Sequence, residues 1–182
     1  FQGCSSVTTI NYEADSCFAA NSGLVGFFAP IKENITTVNI GSGVRVIPDG
    51  FLKGCLNVDT LVIPSSVHKI GASAFASCTN LTSLILPNSI TSIGANAFKE
   101  SGLISIILPN SISEIEDYCF FNCFNLRTIN LPASITTLGA NTFYGCINLT
   151  SIDIPNSITT IGNNCFSWCI SLTELIIPDC VA

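Results

Sequence analysis

Cysteine is the residue type with the widest chemical range in this chain. Ten occur among 182 residues, and five of them, Cys55, Cys78, Cys123, Cys146 and Cys169, stand in one column of a repeating sequence pattern. Stacked neighbours in such a column would lie ~4.8 Å apart, a separation that a disulfide tolerates. Their Cβ vectors would nevertheless run parallel, whereas a bridge needs them to converge. The expectation is therefore a stack of small, reduced, buried thiols, a packing role that free cysteine fills well. Cys4, Cys17 and Cys180 fall outside the column, and Cys4–Cys17 is the one pairing open to a bridge. Cys119/Cys123 and Cys165/Cys169 form two C-x-x-x-C pairs, a spacing that could suggest zinc. Two turns separate the pairs, ~10 Å by strand spacing, while sulfurs around one tetrahedral ion sit under about 4 Å from each other. One ion cannot serve both, so packing is again the expectation and no metal site is predicted.

The other reactive types are no better assembled. His68 is the single histidine and stands where other turns carry Thr91, Thr136 and Thr159; no motif ties a Ser or Cys nucleophile to it. Glu114, Glu116 and Asp117 cluster, and read as a solvated edge. Gly71, Gly94, Gly139 and Gly162 recur at the repeat spacing as turn residues, which excludes a phosphate-binding glycine loop. No catalytic residue, cofactor or metal is predicted, and the chain reads as non-enzymatic.

These spacings come from an internal repeat, and the repeat decides the fold. Pro64, Pro87, Pro109, Pro132, Pro155 and Pro178 follow one another at intervals of 23, 22, 23, 23 and 23 along the sequence. Phe75, Phe98, Phe120, Phe143 and Phe166 keep the same beat. The working consensus is C-x-N-L-T-x-I-x-I-P-x-S-I-T-x-I-G-x-x-A-F-x-x, clearest over residues 146–168. Residues 38–55 follow it with Gly41 in the proline position and Pro48 in the glycine position. The interval from Ile10 to Val38 is longer than a repeat, which places an insertion or loop within residues 13–30. In each turn a β-rich stretch such as 81–86 is closed by a proline, which cannot donate to a ladder. Alternation then puts Leu84 and Leu86 on one side and Ser83 and Ile85 on the other. Ile90 and Ile93 mark a second extended piece, and Gly94 a bend towards Ala97 and Phe98. Returning to a parallel neighbour makes the crossover right-handed. Seven strand positions at ~4.8 Å give a sheet on the order of 30 Å long. The whole of 1–182 reads as one elongated solenoid domain, with 1–30 a degenerate repeat carrying the insertion and 31–180 regular. The ends lack polar caps, so the chain is expected to be a segment of a longer protein.

The C-x-N-L-T-x-I-x-I-P…I-T-x-I-G-x-x-A-F pattern resembles the BspA-type, treponemal class of leucine-rich repeats, well over residues 31–180 and poorly over 1–30. The resemblance implies a right-handed, β-rich leucine-rich-repeat solenoid, horseshoe-like in the α/β manner, with a parallel sheet on one face. It also implies a surface protein of the kind found in bacteria and parasitic protists, linked to adhesion to host proteins. It brings no catalytic residues.

Composition bounds the partners. Apolar residues make up 48% and charged ones 10%, enough to bury a large core and too few charges for disorder. A net charge of -6 leaves no basic stripe for phosphates, so no nucleic acid is expected. The longest apolar run, residues 24–31, is far below the ~20 residues that span a bilayer, so membrane insertion is not expected. Sequons at Asn34, Asn80 and Asn148 share the column of Asn57 and Asn125, where an amide can satisfy turn backbone. They follow from the repeat and say little about secretion.

The outward strand column reads Asn39, Val62, Ile85, Ile107, Asn130, Asp153, Ile176. Three consecutive turns put large apolar groups there, and Ile104 stands beside them; such patches need a partner or a cover. A fold-back of residues 13–30 is the alternative cover. A second column, Thr37, Thr60, Ser83, Ser105, Thr128 and Ser151, is a hydroxyl ladder of the kind strand propensity produces. The predicted binding residues are Val62, Ile85, Ile104 and Ile107, with Arg127, Asn130 and Asp153 as a polar rim. The function expected is recognition of a host or matrix protein at the cell surface or outside the cell. The alternatives are end-to-end self-association of the uncapped repeats, or a cytoplasmic scaffold.

Overall fold

The computed structural model describes residues 4, 6–13, 28 and 30–181. Short parallel strands and turns fill it, and no helix occurs among the described residues. The strands are β1 (Thr9–Tyr12), β2 (Thr37–Ile40), β3 (Val46–Ile47), β4 (Lys69–Ile70), β5 (Ser92–Ile93), β6 (Ser105–Ile107), β7 (Glu114–Ile115), β8 (Thr128–Asn130), β9 (Thr137–Leu138) and β10 (Thr160–Ile161). Every pairing is parallel and joins equivalent repeat positions, as Ile47↔Ile70↔Ile93 and Ile106↔Ile129 illustrate. This is a parallel-sheet solenoid whose turn equals the sequence repeat, the architecture that the repeat predicts. The long interval near the start behaves as one turn, because Ile10 pairs with Val38. Most of its extra length, residues 14–27 and 29, lies outside the described residues.

Each turn has three sides. Before the proline, residues such as Leu81, Leu84 and Leu86 are buried while Thr82, Ser83 and Ile85 are exposed. After it comes the two-residue strand that carries Ile70, Ile93, Ile115 or Leu138 inward. The third side, the return segment, is where a helix could have formed, and a repeated backbone conformation stops it. Two positions per turn hold left-handed backbone: Gly50, Ser73, Asn96, Tyr118, Asn141 and Asn164 in one column, Gly54, Ser77, Glu100, Asn122, Gly145 and Trp168 in the other. A left-handed residue every fourth position breaks the helical progression. It also turns alternate N–H groups along the solenoid, so Ser73, Phe75 and Ser77 donate to the carbonyls of Ala95, Ala97 and Lys99 in the next turn (2.7–2.9 Å). The same three bonds recur between all turns from Gly50 to Gly145.

The core is one stack. Phe75, Phe98, Phe120, Phe143 and Phe166 pile ring on ring, with centroids 5.3–5.6 Å apart and planes within 18° of parallel. Four of these rings are completely buried.

The glycine column has a different reason from the bend that the sequence suggests. Gly94 and Gly139 do not adopt left-handed backbone. They are approached too closely for a side chain: a Cβ would meet Ala72 N at 2.7 Å and Asp117 N at 2.5 Å respectively. Where Glu116 replaces glycine, β5 and β7 are not paired, and the two ladders β3–β4–β5 and β7–β9–β10 are separate.

Candidate binding face

Exposed side chains before the proline form three parallel columns across the sheet. One contains Val62, Ile85 and Ile107 and a neighbouring one Ile104, and all four are exposed: Val62 by 79%, Ile85 by 85%, Ile107 by 72% and Ile104 by 44%. Strand pleating holds them there, because Leu61, Ile63, Leu84, Leu86, Ile106 and Leu108 take the alternate, inward positions. Val62 is bridged to Ile85, and Ile107 pairs with Asn130. Arg127 N donates to Ile104 O at 2.9 Å, which places the Arg127 position beside Ile104. Asn130, Arg127 and Asp153 are exposed on the same face. Val62, Ile85, Ile104 and Ile107 are thus neighbours, with Arg127 and Asn130 one turn further along and Asp153 one turn beyond those. The hydroxyl column is exposed throughout, and Asn39 Nδ2 donates to Asn11 Oδ1 at 2.7 Å where the apolar run has given way to amides.

Grooves run between several turns of this face. One of about 460 Å³ separates Ile85 from Ile107 and reaches Pro109, Asn88, Asn110 and Asn130. Its counterparts between Val62 and Ile85, beside β2, and beside Asp153 measure about 280, 240 and 290 Å³.

The thiols have no such access. Cys55, Cys78, Cys119, Cys123, Cys146, Cys165 and Cys169 are free and buried. Packing is only part of their role: Cys78, Cys123, Cys146 and Cys169 donate to the carbonyls of Leu52, Phe98, Phe120 and Phe143 in the preceding turn (3.0–3.2 Å). Ser101 fills the one gap in the column, buried and 3.5 Å from Cys123 Sγ. Interval counting missed it because the residue type changes while the place in the turn does not. Burial pushes Cys78 and Cys165 up to about 12 and Cys55, Cys123 and Cys169 up to about 11; it raises Cys119 and Cys146 well above the ordinary thiol value. Thiols held neutral are poor nucleophiles and poor ligands. Cys180 takes the place of the serines whose hydroxyls bond the preceding turn, and donates to Ile158 O at 3.2 Å as Ser157 does to Ile135 O. The Cys4–Cys17 pairing falls on Cys17, outside the described residues.

The other chemical candidates are dispersed. His68 is exposed, its backbone bonded to Arg45 and Thr91 on either side. Among the described residues no three His, Cys, Asp or Glu side chains come together as a metal site. The acidic cluster is more than a solvated edge. Glu114 is exposed, but Glu116 accepts from Ala95 N at 2.9 Å and Asp117 from Ala140 N at 2.7 Å, as Asp49 does from Ala72 N. These carboxylates satisfy backbone donors of adjacent turns. Asn148 Nδ2 likewise donates to Phe124 O at 2.7 Å, the backbone role expected of that column. No helix among the described residues is long and apolar enough to cross a membrane.

A parallel sheet that receives one strand per repeat, a stacked aromatic core and an exposed ladder-bearing face define a leucine-rich solenoid. The chain belongs to the BspA type leucine rich repeat family, whose pattern it matches in six copies over residues 1–123 and 91–182. It is similar to a leucine-rich repeat protein from Bacteroides ovatus at 30% identity and a TM-score of 0.82, over 96% of this chain and 46% of that one. It is also similar to the leucine rich repeat protein of T. pallidum at 28% identity and a TM-score of 0.67, over 82% of this chain and 68% of that one. The pneumococcal vaccine antigen PcpA, 20% identical with a TM-score of 0.52 over 97% of this chain and 46% of that one, shares the fold. The chain spans just under half the length of the Bacteroides ovatus protein. No curated protein matches it.

Proposed function

We propose that this segment is a protein-recognition module whose open strand face binds a host or extracellular-matrix protein at the cell surface. The observation that carries the reading is the run Val62, Ile85 and Ile107. Three adjacent turns expose large apolar side chains at a position where flanking turns use Asn39, Asn130 and Asp153. Nothing inside the solenoid requires them, since the pleat already supplies the inward residues. An exposed apolar cluster edged by Arg127, Asn130 and Asp153 has the apolar-centre, polar-rim composition of recognition surfaces. Covering it would contribute a few kcal/mol at ~25 cal/mol per Å² before the cost of ordering the partner. The family, whose members are linked to adhesion, supports the surface setting.

The test is binding of this segment to a panel of purified extracellular-matrix proteins, with Ile85→Asp alongside. A true partner should bind the parent chain and lose most of its affinity for the variant, while denaturant stability stays within about 0.5 kcal/mol, as for a surface substitution. Equal binding by the variant, or its unfolding, would remove the face from consideration.

A further inference from the structure

One turn of the solenoid is a residue shorter than its neighbours. Pro109 follows Pro87 at an interval of 22 where the other prolines keep 23, and the missing residue lies beside Gly102, where Ser-Gly-Leu stands for the usual Cys-x-Asn-Leu. Gly102 is drawn onto the preceding turn: its N–H donates to Cys78 O at 3.0 Å, and a Cβ there would clash with Thr79 O. The consequence appears just downstream. Ser83 and Ser105 are still bridged, but from Ile85 and Ile107 onward the two turns share no backbone-to-backbone hydrogen bond until Asn96 N meets Asp117 O at 3.0 Å. In between, the Ser111 hydroxyl reaches back to Asn88 O at 3.1 Å. Glu116 stands in the glycine column over the last part of that stretch, where β5 and β7 are not paired and its carboxylate accepts from Ala95 N at 2.9 Å. A groove of about 460 Å³ lies in this parting. Ile85 and Ile107 line it together with Asn88, Asn110 and Asn130.

Charge says what kind of segment crosses it. Residues 1–99 carry equal numbers of each sign, so the entire net charge of -6 lies in residues 100–182, where Arg127 is the one cation. On the binding face Asp153 lies two strand positions beyond Ile107, ~10 Å at the spacing of parallel strands. An extended chain running across the strands covers that distance in about three residues.

We infer that the groove between Ile85 and Ile107, opened by the short turn, is an anchor pocket. It takes one large apolar side chain from an extended partner segment that carries a Lys or Arg about three residues further on, opposite Asp153. The inference rests on the proposed use of this face and adds the feature of the partner that the face selects. Apolar side chains and asparagine amides both line the groove, and the amides offer donors and acceptors to the backbone of the entering segment.

Titration of the isotopically labelled chain with Ac-Trp-Gly-Gly-Lys-NH2, followed by amide chemical shifts, tests this directly. Shifts should centre on residues 83–88 and 105–110. Ac-Gly-Gly-Gly-Lys-NH2 should bind at least tenfold more weakly, and Ac-Trp-Gly-Gly-Glu-NH2 several-fold more weakly. Asp153→Asn should abolish the preference for Lys over Glu and leave the tryptophan anchor. Inserting one Asn between Gly102 and Leu103, which restores the regular turn, should close the groove and cost tenfold or more in affinity while Ile85 stays exposed. Ile107→Asn, the residue type that neighbouring turns use, removes an apolar lining side chain without touching the turn and decides the matter if the insertion does not fold. No preference for Trp over Gly, or unchanged affinity in the folded variant, would overturn the inference. Normal tryptophan-peptide binding by the insertion variant, with matrix binding still abolished by Ile85→Asp, would sink the groove and leave the face standing. Loss of groove binding in that variant, with matrix binding indifferent to Ile85→Asp, would do the reverse.

Discussion

The return segment and the strand face are built from the same repeats yet differ in continuity. On the return side every turn from Gly50 to Gly145 sends three N–H groups to the next, and the phenylalanines stack unbroken from Phe75 to Phe166. Even the short turn keeps step there, with Phe98 N bonded to Cys119 O at 2.9 Å. On the strand side pairing is intermittent: Ser83 and Ser105 are bridged, but β5 and β7 of the same two turns are not paired. The return side thus keeps its bonds across the missing residue. Stacked rings and thiols fill a closed space that tolerates little change of volume, whereas an open face can lose ladder bonds to water. Irregularity collects where solvent can satisfy the backbone, which is also where a partner could reach it.

Alkaline pH should separate the two regions most strongly. The seven buried thiols of the return side have folded pKa values raised above the unfolded value near 9. The unfolded chain therefore loses these protons first. Stability should be flat up to about pH 8 and then fall as pH rises above 9, by up to ~1.4 kcal/mol per pH unit for each thiol still protonated in the fold. Denaturant unfolding under reductant across pH 8 to 10.5 measures the slope, and Cys146→Ala should flatten it. A variant with the parent slope would mean that this thiol is not held neutral by burial.

Truncating the aromatic stack comes next. Phe143→Ala should cost roughly 3–5 kcal/mol, as removal of a large core aromatic does. Ile85→Asp on the face should cost almost nothing. If denaturant unfolding shows Phe143→Ala to be no more harmful than a surface substitution, about 0.5 kcal/mol at most, the contrast between the regions disappears.

The smallest effect concerns a left-handed position on the return side. Trp168 has φ 64° and is 67% exposed, in a column that elsewhere holds Gly, Ser, Glu and Asn. A side chain with a Cβ is strained there by roughly 1–2 kcal/mol, so Trp168→Gly should stabilise the chain by up to ~1 kcal/mol, glycine's greater flexibility offsetting part of the gain. A thermal or denaturant midpoint that drops instead would point to packing by Trp168 against the solenoid.

Much of this was legible without coordinates. Proline and phenylalanine intervals set the turn, and alternation within residues 81–86 set which side chains face out. The cysteine column declared itself by count, and Val62, Ile85, Ile104 and Ile107 could be singled out as apolar residues at outward positions. Other features were hidden because they depend on what lies one turn away. Ser101 belongs to the thiol column by its place, Glu116 and Asp117 bond backbone donors of adjacent turns, and Gly94 is glycine because Ala72 N presses against it.

By itself, then, the sequence determined the period, the parallel register and the identity of the inward and outward columns, since those follow from local propensity repeated many times. Tertiary structure alone decided where consecutive turns touch and where they part. A one-residue deficit near Gly102 is a local fact, but its effect is non-local. The return side keeps its inter-turn bonds and its ring stack across the short turn, while a groove lies on the strand face between Ile85 and Ile107.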